Sequence, residues 1–355
     1  MGKIMSNLKE TDLKKIVDPL LDWYEKNKRI LPWRDQPTPY RVWVSEIMLQ
    51  QTRVQAVKPY FARFLEVLPT VKSLAESREE TYLKLWEGLG YYNRVRNLHK
   101  AAKILVEKYG GNLPRSYQDL LKLPGIGEYT AGAIASIAYG IPVPAVDGNV
   151  LRVFARLFAI KEDITERTVK QNVTKKIQAI LPKERPGDFN QALMELGAVV
   201  CLPNGVPDCG NCPMNKLCCA YNTDLVMSIP IKKKKKERLI EHRTVFIIKC
   251  EDKIALTKRP DKGLLSGMWE LPNVSGTLSE DEIKTEALQY GNGVQEVKEL
   301  GQTKHIFTHI EWHMTGFEIR LCSPKRIETF IWSDLNHFKK EFTFPTAFSY
   351  YLRKV

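Results

Sequence analysis

Glu46 stands in the run VWVSEIMLQQTR, among Val42, Val44, Ile47, Met48 and Leu49. A carboxylate in such company is costly unless it is paired or kept protonated. An apolar pocket would raise its pKa into the range that suits a general acid at neutral pH. The competing reading is an exposed glutamate on the polar face of an amphipathic helix. Asp147, in PAVDGNVLRV, precedes a Gly-Asn turn that opens a further helix, so its carboxylate can sit at a helix mouth facing a groove. Capping that helix is the ordinary job for an aspartate so placed. Between the two acids lies LPGIGEYTAGAIASIAYG, where Gly125 and Gly127 frame a Gly-x-Gly turn that runs into a small-residue helix. Such glycines let backbone N–H groups approach a phosphate, and the helix N-terminus adds partial positive charge. An ordinary interhelical turn has the same pattern. Finally, Cys201, Cys209, Cys212 and Cys218 fall within eighteen residues. Four thiolates can hold tetrahedral zinc or a [4Fe-4S] cluster. The order lone Cys, CxxC, lone Cys favours the cluster, because structural zinc usually takes two tight pairs.

The chain that must position these groups has 355 residues, 43% of them hydrophobic, with 54 Lys plus Arg against 41 Asp plus Glu and a net charge of +13. That is enough apolar material for two cores. The positive balance favours a polyanionic partner, nucleic acid first, although a generically basic protein would show it too. No long apolar run follows the first basic residues, so neither a signal peptide nor a spanning helix is expected and the protein is read as cytoplasmic, with nucleoid association expected only through DNA binding. In a reducing compartment the clustered cysteines suit metal ligation better than disulfides.

From about residue 10 to 200 the apolar residues recur at helical spacing, which predicts an all-α region. Ser77 with Glu80 predicts a capping box for the helix in TYLKLWEGL, and Gly110-Gly111 predicts a helix stop after RNLHKAAKILVEKY. Five lysines at 232–236 cannot pack in a core and mark a solvated connector. Beyond them TVFIIKC and KIALTKR flank a turn at 251–253, and WHMTGFEIRL has strand character. A helix is predicted from Ser279, capped with Glu282, to Gly291. Cys219 is spare, and Cys250 and Cys322 read as buried thiols.

In chain order, SEIMLQQTRV, WEGLGYYNRVRNL, LPGIGEYTAGA, VDGNVLRV, FNQALMELG and the cysteine cluster resemble the MutY family of adenine DNA glycosylases, over residues of about 30 to 219 and again near KHIFTHIEW. The resemblance implies an all-α helix-hairpin-helix glycosylase domain at 1–225, with two helical lobes and an iron-sulfur loop at 201–218. A basic linker follows at 226–241, then an α+β MutT-like, Nudix-like domain at 242–355. It implies a monomeric enzyme with a [4Fe-4S] cluster that removes adenine opposite 8-oxoguanine, or opposite G, in duplex DNA.

By the same similarity Glu46 protonates the adenine ring at N7 and Asp147 stabilises or captures the cationic sugar. Tyr129 and Asn149 hold Asp147 and the sugar, while Trp33, Arg34, Gln191 and, less directly, Arg29 line the base pocket. Leu49, Gln51 and Tyr91 enter the duplex opposite the flipped base; core packing is the other reading of Leu49. Gly125 and Gly127 grip the DNA backbone. The endonuclease III type carries a lysine where this chain has Tyr129, and tyrosine cannot form a Schiff base. Base removal without strand cutting is therefore expected, with a bifunctional lyase on oxidised pyrimidines as the alternative. Phe307-Thr308-His309 matches the loop that inspects 8-oxoguanine, where Phe-Ser-His is common; Thr308 keeps the hydroxyl and adds a methyl. The acidic Nudix signature is absent, so nucleotide hydrolysis is not expected. A second departure is the seven-residue gap between Cys201 and Cys209, one longer than the family's usual six, which Gly205 can absorb.

Overall fold

The computed structural model describes residues 13–233, 237–326 and 328–355. The N-terminal residues 1–12, read as carrying no signal peptide, and the lysines at 234–236 of the solvated connector lie outside the described residues. The chain divides into two compact units, one of residues 1–77 and 93–234, the other of 78–92 and 235–355.

The first unit is helical. Thr38 caps the helix Pro39–Leu49 by accepting from Arg41 N–H, with Pro39 at its first position. Every side chain from Val42 to Met48 is buried, so this helix is covered on all sides rather than along one stripe. It packs against Val54–Val67 and Asn93–Tyr109 in a lobe whose core includes Trp43, Phe61, Phe64, Leu98 and Leu105. The helix Asn93–Tyr109 stops at Gly110 and Gly111, both at positive φ, as the glycine pair predicts. In the other lobe Val17–Asn27 and Gly148–Leu157 pack on Pro186–Val199, around Leu20, Tyr24, Phe154, Phe189, Leu193 and Leu196. Gly197 is required there: a Cβ on it would come within 2.7 Å of Asn149 Cβ, so its bare backbone lets the mouth of the helix Gly148–Leu157 dock.

The second unit is α+β. Its strands are β1 (Leu239–Cys250), β2 (Lys253–Lys258), β3 (Trp269–Glu270), β4 (Asn273–Ser275), β5 (Gly291–Ile306), β6 (Ile310–Pro324) and β7 (Phe330–Asp334). They form one sheet in the order β3-β2-β1-β6-β5, with β4 on β1 and β7 on β2. β1 and β6 run parallel, from Leu239 opposite Ile310 to Lys249 opposite Arg320, and the other pairs are antiparallel. Both faces are covered: Ile283 and Ala287 of the helix Glu280–Ala287 close over Phe246, Ile248, Ile319 and Leu321. On the other face Phe338, Phe348 and Tyr351 close over Val245, Ile247, Trp312 and Met314. The helix Glu280–Ala287 begins with the Ser279–Glu282 capping box that its sequence predicts.

Four readings need correction. Ser77 does not cap a helix start; it ends Val71–Glu76 and its hydroxyl donates to Leu74 O, while the capping box in this stretch is Thr70 with Ser73. Residues 78–92 belong to the second unit, not to a continuous 1–225 domain. Lys84 Nζ donates to Lys339 O and Phe342 O at 2.7 and 3.0 Å, and Phe344 N donates to Glu87 Oε1 at 2.8 Å. The connector is shorter than 226–241: Ile229 is buried, Ile231 bridges Asp163, and β1 begins at Leu239. Cys250 is buried as expected, but Cys322 is exposed.

Candidate active site

Glu46, near the end of Pro39–Leu49, faces a cavity of about 510 Å³ that Asp147, Tyr129 and Asn149 also line. Its carboxylate accepts a short hydrogen bond from the Tyr129 hydroxyl. Burial pushes the Glu46 carboxyl up to about 7; the Tyr129 bond opposes this, the Asp147 charge adds to it and the Arg34 charge subtracts. Met194 Sδ lies 3.2 Å from the same hydroxyl, so when Glu46 carries its own proton Tyr129 has a second acceptor. Burial and the two acids together hold the Tyr129 phenol well above its ordinary range, so it stays a neutral donor.

Asp147 is in a different electrostatic setting. It caps Gly148–Leu157, its Oδ1 accepting from Val150 N and its Oδ2 from Asn149 Nδ2, both at 2.8 Å. Burial raises its pKa, while those bonds and the Arg152 charge pull it down. The capping reading and the groove-facing reading therefore both hold. Two carboxylates share one cavity, one seated among apolar neighbours with a single hydroxyl donor, the other at a helix mouth with N–H donors.

The remaining wall is an ion network of two half-buried arginines around the buried Glu195. Arg34 Nε donates to Gln191 Oε1 at 3.1 Å and its Nη2 to Glu195 Oε2 at 2.8 Å. Arg29 reaches Glu195 from Nε at 2.6 Å, Nη2 at 3.0 Å and its backbone N at 3.0 Å. Burial of Glu195 opposes its charge, but the bonds from Arg29 and Arg34 outweigh it and hold the carboxyl down at about 2. Trp33, buried, meets Phe61 edge-on at 5.5 Å and faces the same cavity. Glu195 and Met194 were not singled out from sequence, although Glu195 follows Gln191 by one helical turn and so shares its face.

At the cavity rim Leu49 ends its helix and Gln51 adopts φ +58, the left-handed conformation that a side chain enters only under local constraint. Gly125 and Gly127 do not line the cavity; they form the turn that leads into Tyr129's helix. Gly125 has φ +79 and a Cβ there would lie 2.8 Å from Asn97 Cβ, so only glycine fits both the turn and the packing. In the second unit Phe307, Thr308 and His309 make the tip between β5 and β6, with Thr308 and His309 exposed. Tyr91, at φ +49, places its hydroxyl 3.5 Å from Thr308 Oγ1 within that unit.

The four cysteines line a second cavity with Val153, Leu157, Leu196 and Met214. They stand around it rather than meeting at a point; among the described residues no three His, Cys, Asp or Glu side chains converge as on a single metal ion. Gly205, at φ +73, turns the long Cys201–Cys209 gap. Arg156 donates to Cys201 Sγ at 3.2 Å and to Leu202 O at 2.9 Å. Burial pushes the Cys212 thiol up to about 12 and Cys218 up to about 11, so as thiolates they need a compensating positive group. The donor set and its apolar wall fit an iron-sulfur cluster.

A family model described as HhH-GPD superfamily base excision DNA repair protein matches residues 44–179, and a NUDIX domain model matches 244–354. An adenine DNA glycosylase of Buchnera aphidicola subsp. Schizaphis graminum is 35% identical, with 90% of this chain and 92% of that protein covered. The chain belongs to the adenine DNA glycosylase family. Membership makes it an enzyme of base excision DNA repair. The adenine DNA glycosylases of Arabidopsis thaliana and Homo sapiens are 38% and 37% identical over 87% and 82% of this chain, which spans 58% and 64% of those longer proteins. Among solved structures, a thermostable thymine-DNA glycosylase superposes with a TM-score of 0.54 at 28% identity, covering 60% of this chain and 98% of its own. An endonuclease III trapped on DNA as a covalent intermediate gives 0.52 at 26%, covering 61% and 99%.

Proposed function

We propose that this adenine DNA glycosylase hydrolyses the N-glycosidic bond of adenine paired with 8-oxoguanine or G, without programmed strand cutting. One observation carries the reading: Glu46 and Asp147 line one cavity in different settings, burial lifting the Glu46 carboxyl to about 7, while the upward pull of burial on Asp147 is opposed by two N–H donors at a helix mouth and by Arg152, which favour its charged form. Glu46, fixed by Tyr129, donates its proton to the leaving base, and the Asp147 carboxylate stabilises the cationic sugar until water attacks. Trp33, Arg34, Arg29, Gln191 and Glu195 form the base-binding wall, and Asn149 holds Asp147. Leu49, Gln51 and Tyr91 fill the stack that the extruded nucleotide leaves, and the turn at Gly125 and Gly127 takes up backbone phosphate.

In the second unit Phe307, Thr308 and His309 inspect the opposite base, a role supported by the exposure of Thr308 beside Tyr91. Cys201, Cys209, Cys212 and Cys218 would hold a [4Fe-4S] cluster, whose iron would offset the charge of the buried thiolates and tie the loop together. The unit of residues 1–77 and 93–234 is the catalytic body and the unit of 78–92 and 235–355 the lesion-reading body. Among the described residues no helix is long and apolar enough to cross a membrane, and duplex DNA is the partner.

The test is a glycosylase assay on duplexes with A opposite 8-oxoguanine, G and C, developed with alkali, in which release should fall in that order. Borohydride trapping should give little or no covalent adduct. A high-yield adduct through a lysine would instead establish the endonuclease III-like lyase.

A further inference from the structure

The helix that carries Glu46 ends one turn beyond it, and the last carbonyls of any helix have no intrahelical N–H to receive. Here the chain does not close with a glycine. It leaves through Gln50 and then Gln51 at φ +58, so the final carbonyls need partners from elsewhere. Leu49 O accepts from Thr52 N at 3.2 Å, and one side chain meets the carbonyls on either side of it. Arg94, the second residue of Asn93–Tyr109, donates from Nη1 to the carbonyls of Ile47 at 2.8 Å, Met48 at 3.0 Å and Gln50 at 2.5 Å. Its Nη2 lies 3.4 Å from Thr52 Oγ1. A guanidinium is flat and always charged, so Nη1 can share its two N–H groups among the three carbonyls while Nη2, held in the same plane, reaches the Thr52 hydroxyl, a second direction that the single nitrogen of a lysine does not offer. Its charge also offsets the partial negative charge of the helix end.

The segment so gathered, 47–52, follows Glu46 directly and contains both Leu49 and Gln51. We propose that Arg94 is a positioning residue for base excision, fixing through one backbone segment both the Glu46 carboxyl in the cavity and the rim turn that presents Leu49 and Gln51. The assignment rests on Glu46 being the acid, and it adds a requirement: the acid and the rim turn move together or not at all. Displacing a reacting group by about 1 Å can lower a rate about 100-fold even when nothing in the site is chemically altered.

The experiment uses the full chain and its Arg94→Lys and Arg94→Met variants, first compared by thermal unfolding so that rates are read where each is fully folded. Single-turnover release of adenine opposite 8-oxoguanine is then measured against enzyme concentration and pH. The maximal rate should fall about 10- to 100-fold in Arg94→Met and less in Arg94→Lys. In Arg94→Met the basic limb of the pH–rate profile should shift to lower pH, as water reaches a displaced Glu46. A role in folding alone would change the melting temperature and leave that limb in place. Wild-type maximal rates and an unmoved limb in a folded variant overturn the inference, as does a loss confined to the half-saturating enzyme concentration, which would indicate a binding contact. If Arg94→Met does not fold, Arg94→Lys decides by the same two readouts. Failure of the wild-type chain to release adenine overturns the functional reading and this inference with it; normal wild-type release with unaffected variants overturns the inference alone.

Discussion

Glu46 is placed so that the same burial which makes it an acid makes its ionised form a burden on the fold. Burial moves its carboxyl from 4.5 to about 7, which amounts to about 3 kcal/mol between the two protonation states. Below the unfolded value near 4.5 the group is neutral in both states and costs nothing. Between 4.5 and 7 the unfolded chain releases a proton that the folded chain keeps, so stability declines as pH rises, and above 7 the loss levels off at about 3 kcal/mol. Glu46→Gln cannot ionise, yet it keeps an oxygen that can accept from Tyr129. The variant should therefore match the wild type near pH 4.5 and exceed it by up to about 3 kcal/mol at pH 8. Each kcal/mol corresponds to roughly 2–4 °C of melting temperature in a unit of this size.

Urea or thermal unfolding of both proteins from pH 4.5 to 8.5 reads this directly. Single-turnover excision on the same samples should show wild-type activity falling above pH 7 and the variant inactive throughout. The shift matters for rate as well: at pH 7 about half of Glu46 is protonated, against about 0.3% for a carboxyl at 4.5, more than a hundredfold difference in available acid. Stability curves of wild type and variant that run parallel across this range would refute the reasoning. Full excision by the variant would remove Glu46 from the chemistry.

Glu195→Ala leaves Arg29 and Arg34 without their shared counter-charge; it should cost about 3 kcal/mol and reduce excision through loss of Arg34 and Gln191 placement. In the wild type the Glu195 contribution is complete above pH 4.5 and is lost as pH falls toward 2, which acid-unfolding curves of the two proteins will show. Thr308→Ala should retain excision opposite G while narrowing the preference for 8-oxoguanine over G by about tenfold, the loss expected for one hydrogen bond; equal rates on all substrates before and after the change would remove Thr308 from opposite-base reading. Cys212→Ser should abolish iron and acid-labile sulfide in purified protein and lower its melting temperature, whereas zinc in the wild type in place of iron would exclude the cluster.

Glu46 was legible because a charged residue inside an apolar helix contradicts its surroundings, and the contradiction needs no partner to be seen. Asp147 was legible because its position before a Gly-Asn helix start restricts what it can do locally. Glu195 gave no such signal: it reads as an ordinary helical glutamate, and its meaning comes from Arg29 and Arg34, 166 and 161 residues away. The stretch 78–92 was assigned to the wrong unit for the same reason. Its helix has a normal amphipathic pattern, and where it packs is decided by distant groups such as the backbone at 339, 342 and 344, reached by Lys84 and Glu87. Ser77 shows the converse error, in which a local pattern fits two helix ends equally well and the structure uses the other.

The helix Gly148–Leu157 shows why the two parts of the first unit cannot be understood separately. Asp147 caps its start, and Asn149, which donates to Asp147, itself accepts from Arg152 Nη2 at 2.9 Å. Arg152 continues to Gly197 O at 2.7 Å and Cys201 O at 2.8 Å, and Arg156, one turn on, reaches Cys201 Sγ. Both arginines are buried, so each must be satisfied on every side, and hydrogen bonds in such surroundings reinforce one another. The cysteine loop is thereby a fixed backing for the Asp147 carboxylate, held by a helix ten residues long. Disorder in the loop would cost Arg152 its Cys201 carbonyl acceptor and so loosen the guanidinium that donates to Asn149, the residue that holds Asp147. Asp147 and the four-cysteine loop, which share no atoms, are thus coupled through two buried guanidinium groups, which in the sequence look like ordinary basic positions on a helix face.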